Sequence, residues 1–244
     1  MARQESPRGR HALGAVGVVL ALLGVAVATW LSVQDEPELL LVGDSIMRQT
    51  GPALVDELPA YEVDNRAVNG SGLLTPAVYD WVDRLPGLVA QARPEATVVL
   101  FIGNYAEEED WWIGPDGVPV APGTPAFFSA WRAQADEVVA ILEQAGTDIY
   151  WVLPPPVASA WGNETINGLR AVYRDLAADH PGITLVDAAP PLTDGTGQFR
   201  WSVADGEGGE LPVRAGDGVH LAPDGARLLA QVIASAVLEG HDRG

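Results

Sequence analysis

Short, almost unbroken apolar runs alternate along this chain with stretches in which apolar residues recur every three or four positions. Leu39–Val42, Thr97–Ile102, Ile149–Leu153, Ile183–Val186 and the weaker Tyr61–Asn65 predict five strands. Runs this apolar suit strands covered on both faces, the mark of a parallel sheet with helices on each side. Between them, Trp131, Ala135, Val138, Val139 and Leu142 form one stripe at helical spacing. A last helix opens near Pro223 and is expected to bury Leu228, Leu229, Val232, Ile233, Ala236 and Val237. Residues 105–125 and 188–216 show neither period and are rich in Gly, Pro and Asp. They read as loops of the kind that rim a site. The expected architecture is one α/β domain over residues 39–240, a three-layer α/β/α sandwich around a central, mostly parallel five-stranded sheet.

One apolar run is too long for a strand. Residues 12–33 are 22 consecutive positions without a charge, enough for about 30 Å of helix across a bilayer core. Arg3, Arg8 and Arg10 precede the run and Asp35, Glu36 and Glu38 follow it. That bias predicts a membrane anchor with residues 1–11 as a cytoplasmic tail and everything beyond Val33 outside. Residues 34–38 would be a linker, and 241–244 a short tail. The rival reading is a cleaved signal peptide, because Ala26-Val27-Ala28 fits a small-x-small cleavage site. Both readings export the domain.

Charge narrows the partners. The 244 residues carry a formal −19, and beyond the apolar run 11 basic residues face 32 acidic ones, a formal −21. Such a domain repels polyanions, which argues against nucleic acid. The absence of cysteine excludes disulfides, thiolate metal sites and cysteine nucleophiles. The acidic run Glu107–Asp110 has no histidine near it in sequence and reads as a solvated loop face, not a metal site.

The candidate chemistry begins at Gly43-Asp44-Ser45, where a strand gives way to a helix. Open α/β sheets place ligands at that point, and the helix aims free backbone amides at it. His180 and His241 read as structural or solvated. His220 instead lies in Asp217-Gly218-Val219-His220-Leu221, just before the last helix. A turn there would bring the Asp217 carboxylate under the imidazole and orient it as a general base.

The order of these pieces resembles the SGNH (GDSL-type) hydrolase family over essentially all of residues 39–240. The matching blocks are Leu41-Val42-Gly43-Asp44-Ser45-Ile46-Met47, Asn65-Arg66-Ala67-Val68-Asn69-Gly70, Phe101-Ile102-Gly103-Asn104 and Asp217-Gly218-Val219-His220-Leu221-Ala222-Pro223-Asp224-Gly225. The third departs from the family's Gly-x-Asn-Asp, with Ile102 at the glycine and Tyr105 at the aspartate. The resemblance implies a flavodoxin-like sheet, Ser45 as nucleophile with His220 and Asp217, and an oxyanion hole from Ser45, Gly70 and Asn104. It implies an esterase that needs no cofactor, acting on a small ester or an acylated glycan of the cell envelope. An O-acetyltransferase and a catalytically silent binding module are the alternatives. Trp111 and Trp112, in the loop after Asn104, are candidate stacking surfaces for sugar rings, or else pack that loop onto the domain. The sequence leaves the oligomeric state open.

Overall fold

The computed structural model describes residues 37–102 and 112–241. The proposed anchor at 12–33 lies outside them, as do Asn104 and Trp111. Among the described residues no helix is long and apolar enough to cross a membrane.

The domain runs β1 (Glu38–Gly43), α1 (Ser45–Glu57), β2 (Glu62–Asn65), α2 (Trp81–Ala92), β3 (Ala96–Leu100), α3 (Pro125–Ala145), β4 (Asp148–Leu153), α4 (Ala160–Asp179), β5 (Ile183–Asp187), β6 (Ser202–Ala204), β7 (Glu210–Pro212) and α5 (Pro223–His241). The first five strands form one sheet in the order β2-β1-β3-β4-β5, every neighbouring pair parallel. Strand alternation divides the core in two. Leu39, Leu41, Val98, Leu100, Tyr150 and Val152 pack with Ile46 and Leu54 of α1 and Leu229, Ile233 and Val237 of α5. Leu40, Val42, Val99, Ile149 and Trp151 face the other way, onto Leu85 of α2, Trp131 and Val138 of α3, and Leu169 and Tyr173 of α4. Two apolar faces on one sheet are what the unbroken apolar strands demanded.

Helix boundaries follow local chemistry. Asp44, Asp80, Thr124 and Ser159 each cap a helix N-terminus with a side-chain oxygen. The C-terminus of α3 is closed by Gly146 at φ 73°. In α5 the buried row is Ala226, Leu229, Ala230, Ile233, Ala234 and Val237. The expected Leu228, Val232 and Ala236 lie at its margin, only partly buried. The buried face is thus turned slightly from the expected stripe, so that three alanines lie inside it.

Three further expectations change. Residues 188–216 are not all loop: β6 and β7 pair as an antiparallel hairpin, too short and polar to stand out by alternation. Glu38 belongs to β1, not to a linker. His241 closes α5 rather than lying in a tail, with its Nδ1 3.0 Å from Glu95 Oε1 and its ring edge-on to Tyr61.

Candidate active site

Chain order 2-1-3 places the crossovers from β1 and β2 on opposite faces of the sheet. A crevice therefore opens between the carboxyl ends of β1 and β3. Both ends are sewn together there. Asp44 is 1% exposed and donates its N–H to Leu100 O at 3.2 Å. Its Oδ1 accepts from Ile46 N at 2.9 Å and its Oδ2 from Ile102 N at 2.7 Å. One carboxyl group thus caps α1 and fixes the exit of β3. Gly43 permits that closeness, because a Cβ there would sit 2.1 Å from Leu100 O.

Ser45, first residue of α1, is half-buried in the crevice, and its Oγ lies 2.8 Å from His220 Nε2. His220 Nδ1 lies 2.6 Å from Asp217 Oδ2, while Asp217 Oδ1 accepts from the backbone N–H of Val219 and of His220, each at 2.9 Å. Burial pushes the Asp217 carboxyl up. The imidazole hydrogen bond and the two backbone N–H groups outweigh that and hold it at about 2. An ionised Asp217 can only accept, so Nδ1 carries a proton. In the neutral imidazole Nε2 is then the acceptor facing the Ser45 hydroxyl.

A depressed carboxyl pKa ties stability to pH with a definite sign. The contribution of Asp217 is fully present above its unfolded value near 4 and is lost as pH falls through about 2. A carbon-detected NMR titration should therefore give Asp217 a midpoint near 2. Asp217→Asn should flatten the loss of stability in that acid range.

The Asp217–His220 turn is gripped from below. Gly218 sits at φ 71°, where a Cβ would meet Ala158 Cβ at 2.4 Å, and its carbonyl accepts from Ala158 N at 2.9 Å. Gln49 Oε1, one turn along α1 from Ser45, accepts from Leu221 N at 3.2 Å. Arg214 is only 5% exposed and donates to Pro156 O at 2.7 Å and to Val219 O at 3.4 Å. Burial lowers this guanidinium to about 10, against the upward pull of Asp217, so it stays charged near neutral pH. Gln49 and Arg214 were not singled out from the sequence. Nothing in local pattern marks them, because Gln49 meets Leu221 and Arg214 meets Pro156 only through the folded chain.

Gly70 follows β2 at φ 78° in a turn fastened to the end of β1. Gly43 O accepts from Val68 N at 2.9 Å, and Ser71 Oγ donates to Val68 O at 2.8 Å while accepting from Trp81 Nε1 at 3.0 Å. Asn65 and Arg48 brace the same turn: Asn65 Nδ2 donates to Arg48 O and Arg48 donates to Ala67 O. Among the described residues, neither the Ser45 nor the Gly70 N–H is given to an acceptor. Asn104 and Tyr105 lie outside the described residues. The chain leading to them is fixed at Phe101, whose carbonyl accepts from Tyr173 OH at 3.0 Å, and at Ile102 by Asp44.

Trp112 is not a stacking surface. It is 0% exposed and packs edge-on to Phe127 at 5.5 Å and against Trp131 at 6.2 Å. The acidic run Glu107–Asp110 lies outside the described residues, and after Trp112 the chain is tied down by Ile113, whose N–H donates to Leu74 O at 2.8 Å. A groove of about 490 Å³ between α1 and α5, lined in part by Gln49, Pro52, Ala53 and Leu221, begins one residue from His220. Among the described residues no group of three or more His, Asp or Glu side chains converges to hold a metal ion.

Comparison with known proteins agrees with this architecture. An acetylxylan esterase from Geobacillus stearothermophilus, solved as a catalytic mutant, superposes with a TM-score of 0.61 at 15% identity, covering 82% of this chain and 94% of that one. A carbohydrate esterase family 3 protein from Talaromyces cellulolyticus gives 0.60 at 12%, covering 85% and 99%. The C-terminal catalytic domain of peptidoglycan O-acetyltransferase A from Streptococcus pneumoniae, solved with a methylsulfonyl adduct, gives 0.51 at 20%, covering 84% and 95%. These likenesses establish the fold. No curated protein matches the chain by sequence. The profile of the family described as "Protein of unknown function (DUF459)" matches residues 38–236. The chain therefore belongs to the DUF459 family, and its domain has the fold of SGNH (GDSL-type) hydrolases.

Proposed function

We propose that this protein is a serine esterase that removes acyl groups, acetyl above all, from acylated glycans of the cell envelope. The observation that carries the reading is the continuous line from Ser45 Oγ through His220 to an ionised Asp217. His220 Nε2 takes the hydroxyl proton as Ser45 Oγ bonds to the ester carbonyl carbon. The resulting oxyanion faces the Ser45 and Gly70 N–H groups, with the Asn104 amide as third donor by its place in the motif. Each such donor is worth about 3 kcal/mol. The tetrahedral adduct collapses as its C–O bond breaks, and His220 returns the proton to the departing sugar hydroxyl. Water, deprotonated by the same nitrogen, then attacks the acyl carbon; the bond to Ser45 Oγ breaks, His220 returns the proton to that oxygen, and the carboxylic acid leaves.

A fluorophosphonate tests the nucleophile directly. Incubation should add one phosphonyl group, on the peptide carrying Ser45, and Ser45→Ala should take up none. Labelling elsewhere, or none in the wild-type protein, would remove the reading. Transfer to a second sugar hydroxyl is the other reading, favoured by the likeness to an O-acetyltransferase domain. Free acetate against newly acetylated sugar, measured with an acceptor glycan present, separates the two. Residues 12–33, as an anchor, would hold the domain at the outer membrane face, where such glycans lie.

A further inference from the structure

Trp201 is 51% exposed, and among the described residues the other large apolar side chains left so open are three valines and a leucine. An indole is the largest apolar surface a side chain can offer, and this one presents a flat face to a ligand. This ring is also held rigidly. Trp201 O accepts from Val213 N at 2.9 Å and from Arg214 N at 3.3 Å. Its ring meets Phe199 edge-on at 5.0 Å and 87°, and the buried Arg214 guanidinium lies 5.7 Å from the Phe199 centroid. A surface fixed in this way loses little entropy when something settles on it.

Its location adds chemistry. A Cβ on Gly218 would lie 3.3 Å from Trp201 Cη2, so the indole rests against the turn that carries Asp217 and His220. An occupant of the open face would therefore lie next to the turn that carries His220. Polar side chains flank it along the chain: Gln198 and Arg200 are both exposed. An acyl chain needs a continuous apolar wall, which that surface does not offer. A pyranose needs one flat apolar face for its C–H groups and polar neighbours for its hydroxyls. Both are present.

We propose that Trp201 is the floor of a subsite for a pyranose ring beside the Asp217–His220 turn. The proposal rests on the esterase reading and deepens it: the enzyme recognises its ester as part of a sugar. Trp201 selects substrate and takes no part in bond making.

The test compares two acetyl esters by acid release in a pH-stat. Glucose pentaacetate carries a ring, and ethyl acetate has nothing to stack. Trp201→Ala should raise KM for glucose pentaacetate about tenfold while leaving kcat/KM for ethyl acetate within about twofold. Trp201→Phe should recover most of the loss. Equal losses on both esters would make Trp201 a support of the turn, and no change on either would empty the subsite; both outcomes overturn the proposal. A second measurement needs no turnover. In Ser45→Ala, glucose pentaacetate should shift the Trp201 indole N–H resonance, and an unmoved resonance would overturn the subsite even in an active esterase. Failure of wild-type protein to release acid from either ester, with that resonance still shifting, would instead sink the esterase reading and leave a sugar-binding surface.

Discussion

Replacing His220 by alanine is expected to lower kcat for a small aryl acetate by about four to six orders of magnitude, with KM nearly unchanged. Among the described residues, the imidazole is the base that reaches the Ser45 hydroxyl, at 2.8 Å. Without it the nucleophile must lose its proton to water at neutral pH. Ser45→Ala should cost as much, and the double variant no more than either single one, because the two side chains act as one unit. Asp217→Asn should cost about four orders of magnitude, since an amide can present the wrong hydrogen-bonding group to Nδ1 and favour the wrong tautomer. Oxyanion donors remain in every variant, so a residual rate above the uncatalysed one is expected. Unchanged circular dichroism and melting temperature would confirm that the fold survives. Retention of even a tenth of wild-type turnover by His220→Ala would remove the general-base role.

Gly43→Ala should be the most destabilising conservative change near the site, at about 3 kcal/mol. The new methyl would lie 2.1 Å from a backbone oxygen, Leu100 O, and 2.9 Å from Met47 Cβ. A backbone carbonyl in a central strand cannot turn aside as a long side chain can, so β1 and β3 must part. In a domain of about 200 residues that cost corresponds to a fall of roughly 10 °C in Tm. Activity should fall further than stability, because parting these strands pulls Asp44 from Ile102 N and shifts Ser45 against His220. Gly87→Ala, in the exposed interior of α2 with nothing within 4 Å of the new methyl, is the control: it should leave activity unchanged and raise stability by up to about 1 kcal/mol. A Gly43→Ala protein that melts like the wild type would show that the two strand ends yield more easily than their hydrogen bonds suggest.

Hydrophobic patterning carried most of the fold. Strands buried on both faces must be apolar throughout, and α3 writes its buried stripe in the sequence at helical spacing. That information is local, because an element's period and the face it buries are properties of its own residues. Ser45, His220 and Asp217, which the fold brings together, could be picked out too, since each sits at a turn whose conformation a few neighbouring residues decide. The short hairpin β6–β7 was not legible, because three-residue polar strands carry no period to read.

What the sequence determined by itself is a parallel α/β domain with Ser45 at the end of its first strand and Asp217 beside His220 in a turn. Tertiary structure alone decided that 175 residues of chain bring His220 Nε2 to within 2.8 Å of Ser45. It decided which tryptophan meets water as well. Trp112 follows four acidic residues and a tryptophan yet is fully buried, whereas Trp201, in a stretch with no apolar period, stands half in solvent against the catalytic turn. Burial of a side chain depends on what other elements pack over it, and that is settled by contacts between distant segments that no local pattern records.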